Sequence, residues 1–233
     1  MSLPQESLDY FLEWNPRYWE APFLFGLSRV GPDLEGKRVL EIGCRRGRMC
    51  SWFAERGARV VGGDFDYRYL TVAAAQSWEG GRRAFSLFWS RAEKLPFRDA
   101  SFDVVFSKSV FVLLQKRRAL AEMLRVLAPG GYVWLLENMR ANPFAASVRF
   151  LRVSCGAAWV RHVRYLTYDE LESYAPAFSR YEHREFHLLT PLYRLLPLPR
   201  PWFRRIVEWE SRRMKRFRPL ARLAWLTCVV GKK

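Results

Sequence analysis

The sequence is poor in the residues that most often carry metal or disulfide chemistry. Histidine occurs 3 times and cysteine 4 times in 233 residues. Cys44, Cys50, Cys155 and Cys228 form no CxxC pair and no Cys/His ligand spacing. That argues against a zinc site and against a disulfide framework, so no metal is expected. No apolar run approaches the ~20 residues that span a bilayer; the longest near the end is 223–230. Residues 1–6 lack a basic stretch and an apolar core, so no secretory leader is expected. Internal repeats and low-complexity tracts are missing as well. These absences point to a reducing compartment and a cytoplasmic location. With 50% hydrophobic residues the chain can bury a core, and at ~150 residues per domain it holds one large domain.

Acidic residues are also scarce. There are 23 Asp+Glu against 39 Lys+Arg, a net charge of +16. The excess is concentrated at 192–233, with 12 basic and 2 acidic residues. A basic surface interleaved with Trp, Phe and Leu favours phosphate-bearing partners: nucleic acid, anionic lipid or a pyrophosphate-linked substrate. The plainer alternative is a solvated basic face.

Periodicity predicts strands over 37–42, 59–63, 84–89, 102–107, 132–137, 179–187 and 223–230. Helices are predicted over 48–57, 67–78, 115–127, 142–152, 167–174 and 202–217. The helix at 167–174 opens on a capping box, Thr-Tyr-Asp-Glu. Strands alternating with helices imply an α/β fold with a mainly parallel, doubly wound sheet. Residues 1–36 carry aromatics in loosely helical spacing, broken by Pro16 and Pro22, and are read as an N-terminal helical cap on a 37–233 domain. Residues 188–222 form an insertion between the last two strands. In its helix Trp202, Phe203, Ile206, Val207, Trp209, Met214 and Phe217 are expected largely on one side.

The informative stretch is Val39-Leu-Glu-Ile-Gly-Cys-Arg-Arg-Gly-Arg48. A strand runs into a glycine turn and then a helix. Gly43 permits a sharp turn and close approach of a ligand. About 20 residues on, Val-Val-Gly-Gly-Asp64 places an acid at the end of the second strand, where it can accept from ribose hydroxyls. A nicotinamide-dinucleotide enzyme is disfavoured, because only two of the three fingerprint glycines are present and the second nucleotide-binding half is missing.

These residues resemble the class I S-adenosylmethionine-dependent methyltransferases, of the type 11-like kind. The resemblance rests on Glu41, Gly43 and Gly47, on Asp64, on Ala92-Glu-Lys-Leu-Pro-Phe97 with Ser101-Phe-Asp-Val-Val105, and on Arg125-Val-Leu-Ala-Pro-Gly-Gly131. It implies a Rossmann-like seven-stranded sheet of order 3-2-1-4-5-7-6, the last strand antiparallel, with helices on both faces. It further implies a cofactor, S-adenosylmethionine (product S-adenosylhomocysteine), held by Gly43, Cys44 and Gly47 through the backbone and by Glu41 through water. Asp64 would take the ribose, Phe65 would lie on the adenine, Ala92 and Glu93 would flank its edge, and Ser107 would lie under the methionine moiety. Two residues depart from the family pattern. Arg45 replaces a glycine, and is expected to turn outward while its backbone keeps the turn. Arg91 replaces a polar residue and cannot accept a hydrogen bond. The Gly-x-Arg-x-Gly form, Lys108-Ser109 and Glu137-Asn138 are similar to methyltransferases of surface-polysaccharide and glycolipid biosynthesis.

Methyl transfer to oxygen needs alignment and removal of a proton. Candidates at strand ends are His187, Glu137 and Lys108. Asn138, Arg140 and Tyr193 are expected to bind the acceptor, a small molecule, sugar or lipid-linked glycan carrying a hydroxyl. The insertion 188–222 would be an acceptor-side lid, with peripheral contact to an anionic membrane at the inner face through 192–222. Two alternatives stand beside this reading. An RNA methyltransferase is motivated by the charge, but nucleic acid is disfavoured because Ser107-Lys-Ser-Val110 follows strand four in place of an Asn-Pro-Pro-Tyr-like tetrapeptide. A non-catalytic S-adenosylmethionine-binding protein is motivated by Arg45 and Arg91.

Overall fold

The computed structural model describes residues 16–79, 82–156, 161, 163–190 and 199–233. Seven strands make one sheet: β1 Arg38–Ile42, β2 Arg59–Asp64, β3 Phe85–Trp89, β4 Phe102–Lys108, β5 Leu127–Asn138, β6 Arg180–Phe186 and β7 Leu226–Lys232. Their spatial order is β3-β2-β1-β4-β5-β7-β6. The β3–β2, β2–β1, β1–β4 and β4–β5 pairs are parallel, whereas β7 runs antiparallel to both its neighbours. The central strands are apolar on both sides because both faces are covered, as a parallel sheet requires.

The helices are α1 Pro16–Val30, α2 Arg48–Ala54, α3 Tyr67–Gln76, α4 Lys116–Val126, α5 Pro143–Ser154, α6 Tyr168–Ser173, α7 Arg200–Arg216 and α8 Arg218–Ala221. A two-stranded ribbon pairs Trp78–Glu79 with Arg82–Arg83. On one sheet face, Val39, Phe106 and Trp134 pack with Phe23 of α1 and Trp52 and Phe53 of α2. On the other, Leu40, Val105 and Leu135 pack with Leu120 and Met123 of α4. Each such large apolar side chain stabilises the fold by roughly 1.5–3 kcal/mol on burial. Among the described residues three polar side chains cap helices: Asp66 accepts from the Arg68 N–H, Asn142 from that of Ala145 and Thr167, the cap expected from sequence, from that of Glu170.

The prolines near the start do not break the helical pattern. Pro16 begins α1 and Pro22 lies within it. The helix survives because it is a full layer of the core. Tyr18, Trp19, Phe23 and Phe25 are all buried, and Phe23 meets Trp52 at 4.8 Å and Trp134 at 4.7 Å between ring centroids. Gly26 lets α1 lie close on the sheet, since a Cβ there would fall 1.9 Å from the Trp134 indole nitrogen. Pro22 has no N–H for the carbonyl four residues back, that of Tyr18. His187 fills the gap: its Nε2 lies 2.6 Å from the Tyr18 oxygen.

The apolar residues of α7 are divided between two sides, contrary to the one-sided expectation. Phe203, Val207 and Met214 are buried, while Trp202, Trp209 and Phe217 are more than half exposed. Buried Glu210 and Ser211 share the inner side. No helix among the described residues is long and apolar enough to cross a membrane.

Candidate active site at the carboxyl ends of the central strands

The turn after β1 is built by backbone hydrogen bonds to the end of β2. The N–H groups of Gly43 and Cys44 both donate to the Gly63 carbonyl, at 2.7 and 3.0 Å. Gly43 has φ +75°, and a Cβ there would meet Val110 Cγ2 at 2.2 Å. Gly47, also left-handed, precedes α2. Asp64 ties the two strand ends together. Its Oδ2 accepts from the Arg45 N–H at 3.0 Å and its Oδ1 from the Asp66 N–H at 2.9 Å. Phe65, next along, is 68% exposed, which leaves its ring uncovered for a planar ligand.

The Arg45 side chain reaches across to α3. Its guanidinium donates to the Tyr69 hydroxyl at 3.0 Å and lies 4.8 Å from that ring's centroid, while its backbone stays in the turn at φ +46°. The sequence reading missed Tyr69. A tyrosine on the helix after β2, facing an arginine in the glycine turn, was the available signal.

Beneath the turn, Glu41 is buried and accepts from the Cys50 thiol at 2.9 Å. Burial raises its pKa to about 7, opposed by the Cys50 hydrogen bond and by Lys108. Cys44 is buried against the same sheet face. Lys108, at the end of β4, is half-buried, with its ammonium 5.4 Å from the Trp19 ring centroid. Trp19 was not singled out from sequence, although it belongs to the aromatic series of α1. Ser107 is fully buried, and its Oγ finds no hydrogen-bond partner among the described residues. Ala92 is buried and Arg91 exposed. Glu93 has structural work: its Oε1 accepts from the Gln115 N–H just before α4.

The three expected proton acceptors do not come together. Glu137 is fully buried, and its Oε1 accepts from the N–H groups of Val110 and Phe111 at 3.0 and 2.8 Å. Burial raises its pKa to about 8. It holds the loop whose Val110 covers Gly43. His187 lies beyond β6, at the far edge of the sheet, at φ +67° and with no exposed surface. Because a carbonyl only accepts, Nε2 carries the proton and Nδ1 accepts from the Thr190 hydroxyl at 2.7 Å. Burial lowers its pKa to about 4. With both nitrogens engaged, this histidine ties α1 to the loop after β6 and offers no nitrogen to an acceptor. Of the three, Lys108 alone stands beside Glu41 at the glycine turn.

Asn138 donates to the Ser109 Oγ at 3.1 Å, bridging the ends of β5 and β4. Arg140 is exposed just beyond, its N–H bonded to the Leu166 carbonyl. Tyr193 lies outside the described residues. Among the described residues no cluster of three or more His, Cys, Asp or Glu side chains could hold a metal.

The residues present fit a nucleoside with an amino-acid tail. A turn without a Cβ lies between an acid pair, Glu41 and Asp64, with an exposed aromatic on one side and an orphaned hydroxyl, Ser107, at the base. Comparison with known proteins agrees. The family described as "Methyltransferase domain" matches residues 40–135. The phthiotriol/phenolphthiotriol dimycocerosates methyltransferase of Mycobacterium tuberculosis is 32% identical over 203 residues, covering 80% of this chain and 71% of that protein. A demethylmenaquinone methyltransferase of Thermobifida fusca is 32% identical over 122 residues, covering 52% of this chain and 50% of that one. The chain spans about half the length of several curated relatives that it matches. Among solved structures, an S-adenosylmethionine-dependent methyltransferase from Mesorhizobium loti superimposes with TM-score 0.62 at 18% identity, over 91% of this chain and 98% of that one. The Haemonchus contortus phosphoethanolamine N-methyltransferase 2, in complex with S-adenosyl-L-methionine, gives 0.67 at 18% identity over 98% and 56%. The chain belongs to the class I S-adenosylmethionine-dependent methyltransferases.

Proposed function

We propose that the chain moves a methyl group from S-adenosylmethionine to a hydroxyl of a lipid-linked acceptor at the inner face of an anionic membrane. The cofactor, when bound, supplies a methyl group already activated on sulfur. The protein's share is then to align the acceptor and to manage one proton. The observation that carries the reading is Lys108, half-buried between the Trp19 ring and Glu41 at the end of β4. Trp19 offers an apolar wall, and the Lys108 amine, in its neutral form, would accept the proton that the acceptor hydroxyl gives up on methylation. Asn138 and Arg140, past the end of β5, would hold the polar head of the acceptor. His187 has no part in this reading, and Glu137 serves as a positioning residue through Val110 and Phe111. Two relatives support an apolar acceptor, since their names state a demethylmenaquinone and a dimycocerosate. Transfer to carbon is what another relative's name states, for ubiquinone and menaquinone biosynthesis.

The test is transfer of labelled methyl from S-adenosylmethionine to fractionated lipid extract, followed by mass spectrometry of the product. The expected product gains one methyl on oxygen, and Lys108→Met lowers kcat by roughly 10²–10⁴-fold, the usual range for a proton-handling group. Label found on carbon would overturn the hydroxyl assignment, and label found only in added RNA would overturn the lipid one.

A further inference from the structure

The outward side of α7 is a second, separate feature of the molecule. At 100° per residue, Trp202, Arg205, Trp209, Arg212, Arg213 and Arg216 fall within an arc of roughly 100°. All six are exposed. The buried residues Phe203, Val207, Glu210, Ser211 and Met214 occupy the opposite arc, so the core is already satisfied without the two tryptophans. Trp202 and Trp209 nevertheless remain 58% and 51% exposed, about two helical turns apart. The Arg205 guanidinium lies 5.5 Å from the Trp202 ring centroid and that of Arg213 lies 5.4 Å from the Trp209 ring.

The helix is held rigidly in this attitude. Buried Glu210 accepts from the N–H groups of Leu188, Leu189 and Thr190 at 3.2, 2.7 and 3.0 Å. Arg204, on the flank, is used inside the protein, bonded at 2.5 Å to Glu20 of α1. The basic residues of the outer stripe are exposed, and Glu208, on its flank, pairs with Arg212 at 3.5 Å.

We propose that this side of α7 is a docking surface for an anionic lipid bilayer, lying flat in the headgroup layer with Trp202 and Trp209 inserted to the acyl boundary. The occupant follows from charge and chemistry. Two indoles inside an arginine stripe are the make-up of an interfacial helix, whose binding combines buried apolar area with attraction to anionic headgroups. A single-stranded nucleic acid would need open ring faces to stack on. Each indole carries its own arginine on one face, so a nucleic acid would have only the other face to stack on, and it is the competing outcome of the test. This deepens the lipid-linked reading above by naming the surface that brings the site to the membrane.

The experiment is vesicle co-sedimentation of the full chain on phosphatidylcholine alone and on phosphatidylcholine with phosphatidylglycerol, with an RNA oligonucleotide as a competing arm. Wild type should pellet with the anionic vesicles only, and progressively less as salt rises. Trp202→Ala with Trp209→Ala should weaken that binding about tenfold or more, and Arg205→Glu with Arg213→Glu should abolish it. Calorimetric binding of S-adenosylmethionine, unchanged in both variants, establishes that they are folded. Equal binding to neutral vesicles, no effect of either double variant, or RNA bound in preference to anionic vesicles would each overturn the proposal. Vesicle binding without methyl transfer to lipid would leave the docking surface standing and remove the acceptor reading; the reverse pair of results does the opposite.

Discussion

At the scale of single residues, Asp64 has two tasks. It fastens the Arg45 N–H of the first turn to the Asp66 N–H of the second, and the family resemblance implies that the same carboxylate takes the ribose hydroxyls. Asp64→Ala should therefore weaken S-adenosylmethionine binding by roughly 1.5–3 kcal/mol, the range for hydrogen bonds involving a charged group. Asp64→Asn keeps one acceptor for the turn and should fall between alanine and wild type. Calorimetric titration of the three proteins checks this ordering. An alanine variant with wild-type affinity would remove Asp64 from the site. Arg45 is different: its side chain is engaged by Tyr69 and only its backbone serves the turn. Because it stands at positive φ, Arg45→Gly relieves backbone strain and should leave cofactor affinity unchanged or slightly higher.

At the scale of elements, the loop after β6 shows how a helix, a histidine and a buried acid become interdependent. Pro22 leaves the Tyr18 carbonyl without its helical partner, His187 supplies one, Thr190 supports His187, and Glu210 of α7 binds three N–H groups of the same loop. Asn142 at the start of α5 adds donors to the carbonyls of Leu188 and Leu223. Glu210→Ala would leave several buried donors unpaired, and each costs about 1–3 kcal/mol. The expected loss in a denaturant titration is at least roughly 3 kcal/mol; a loss below 1 kcal/mol would mean that water replaces the carboxylate. None of this network was legible in the sequence. His187 reads there as a base because it ends a strand, but its Nε2 partner, Tyr18, lies 169 positions away, and Glu210, which holds the same loop, lies 20 to 22 positions from the N–H groups it binds. What was legible is local. The glycine turn, Asp64 and the cap at Thr167 depend on neighbours within about 20 residues, and the strand order is what the resemblance to the methyltransferase family implies. The two sides of α7 were not separable, because a tryptophan turned to solvent and one turned to the core look alike in a hydrophobicity pattern.

At the scale of the whole molecule, the buried ionisable groups set a pH dependence that no single element shows. Burial raises Glu41 to about 7 and Glu137 to about 8, and raises Glu210 in the same direction. For these acids the folded pKa lies above the unfolded value, so the folded state retains protons that the unfolded chain has released. Their contribution is complete below about pH 4.5 and is lost as pH rises through 7 and 8. His187 has the opposite sign. Its folded pKa of about 4 lies below the unfolded 6.5, so its contribution is present above 6.5 and is lost as pH falls toward 4. From pH 6 to 8 the acids dominate: His187 restores part of the loss until the unfolded chain's histidine is neutral, above about pH 7.5, while His183, raised against its burial by Glu185 and Glu172, loses its contribution in the same direction as the acids. Stability of the cofactor-free protein should then fall by roughly 2–3 kcal/mol from pH 6 to pH 8, at about 1.4 kcal/mol per proton per pH unit. Glu137→Gln tests the assignment, because an amide oxygen can still accept from the Val110 and Phe111 N–H groups but does not ionise. Its melting temperature should drop less between pH 6 and pH 8 than that of wild type, with the two proteins nearly equal at pH 6. Parallel curves for the two proteins would show that Glu137 is already ionised in the fold, and its buried Oε2, which has no hydrogen-bond partner among the described residues, would then need a donor from beyond them.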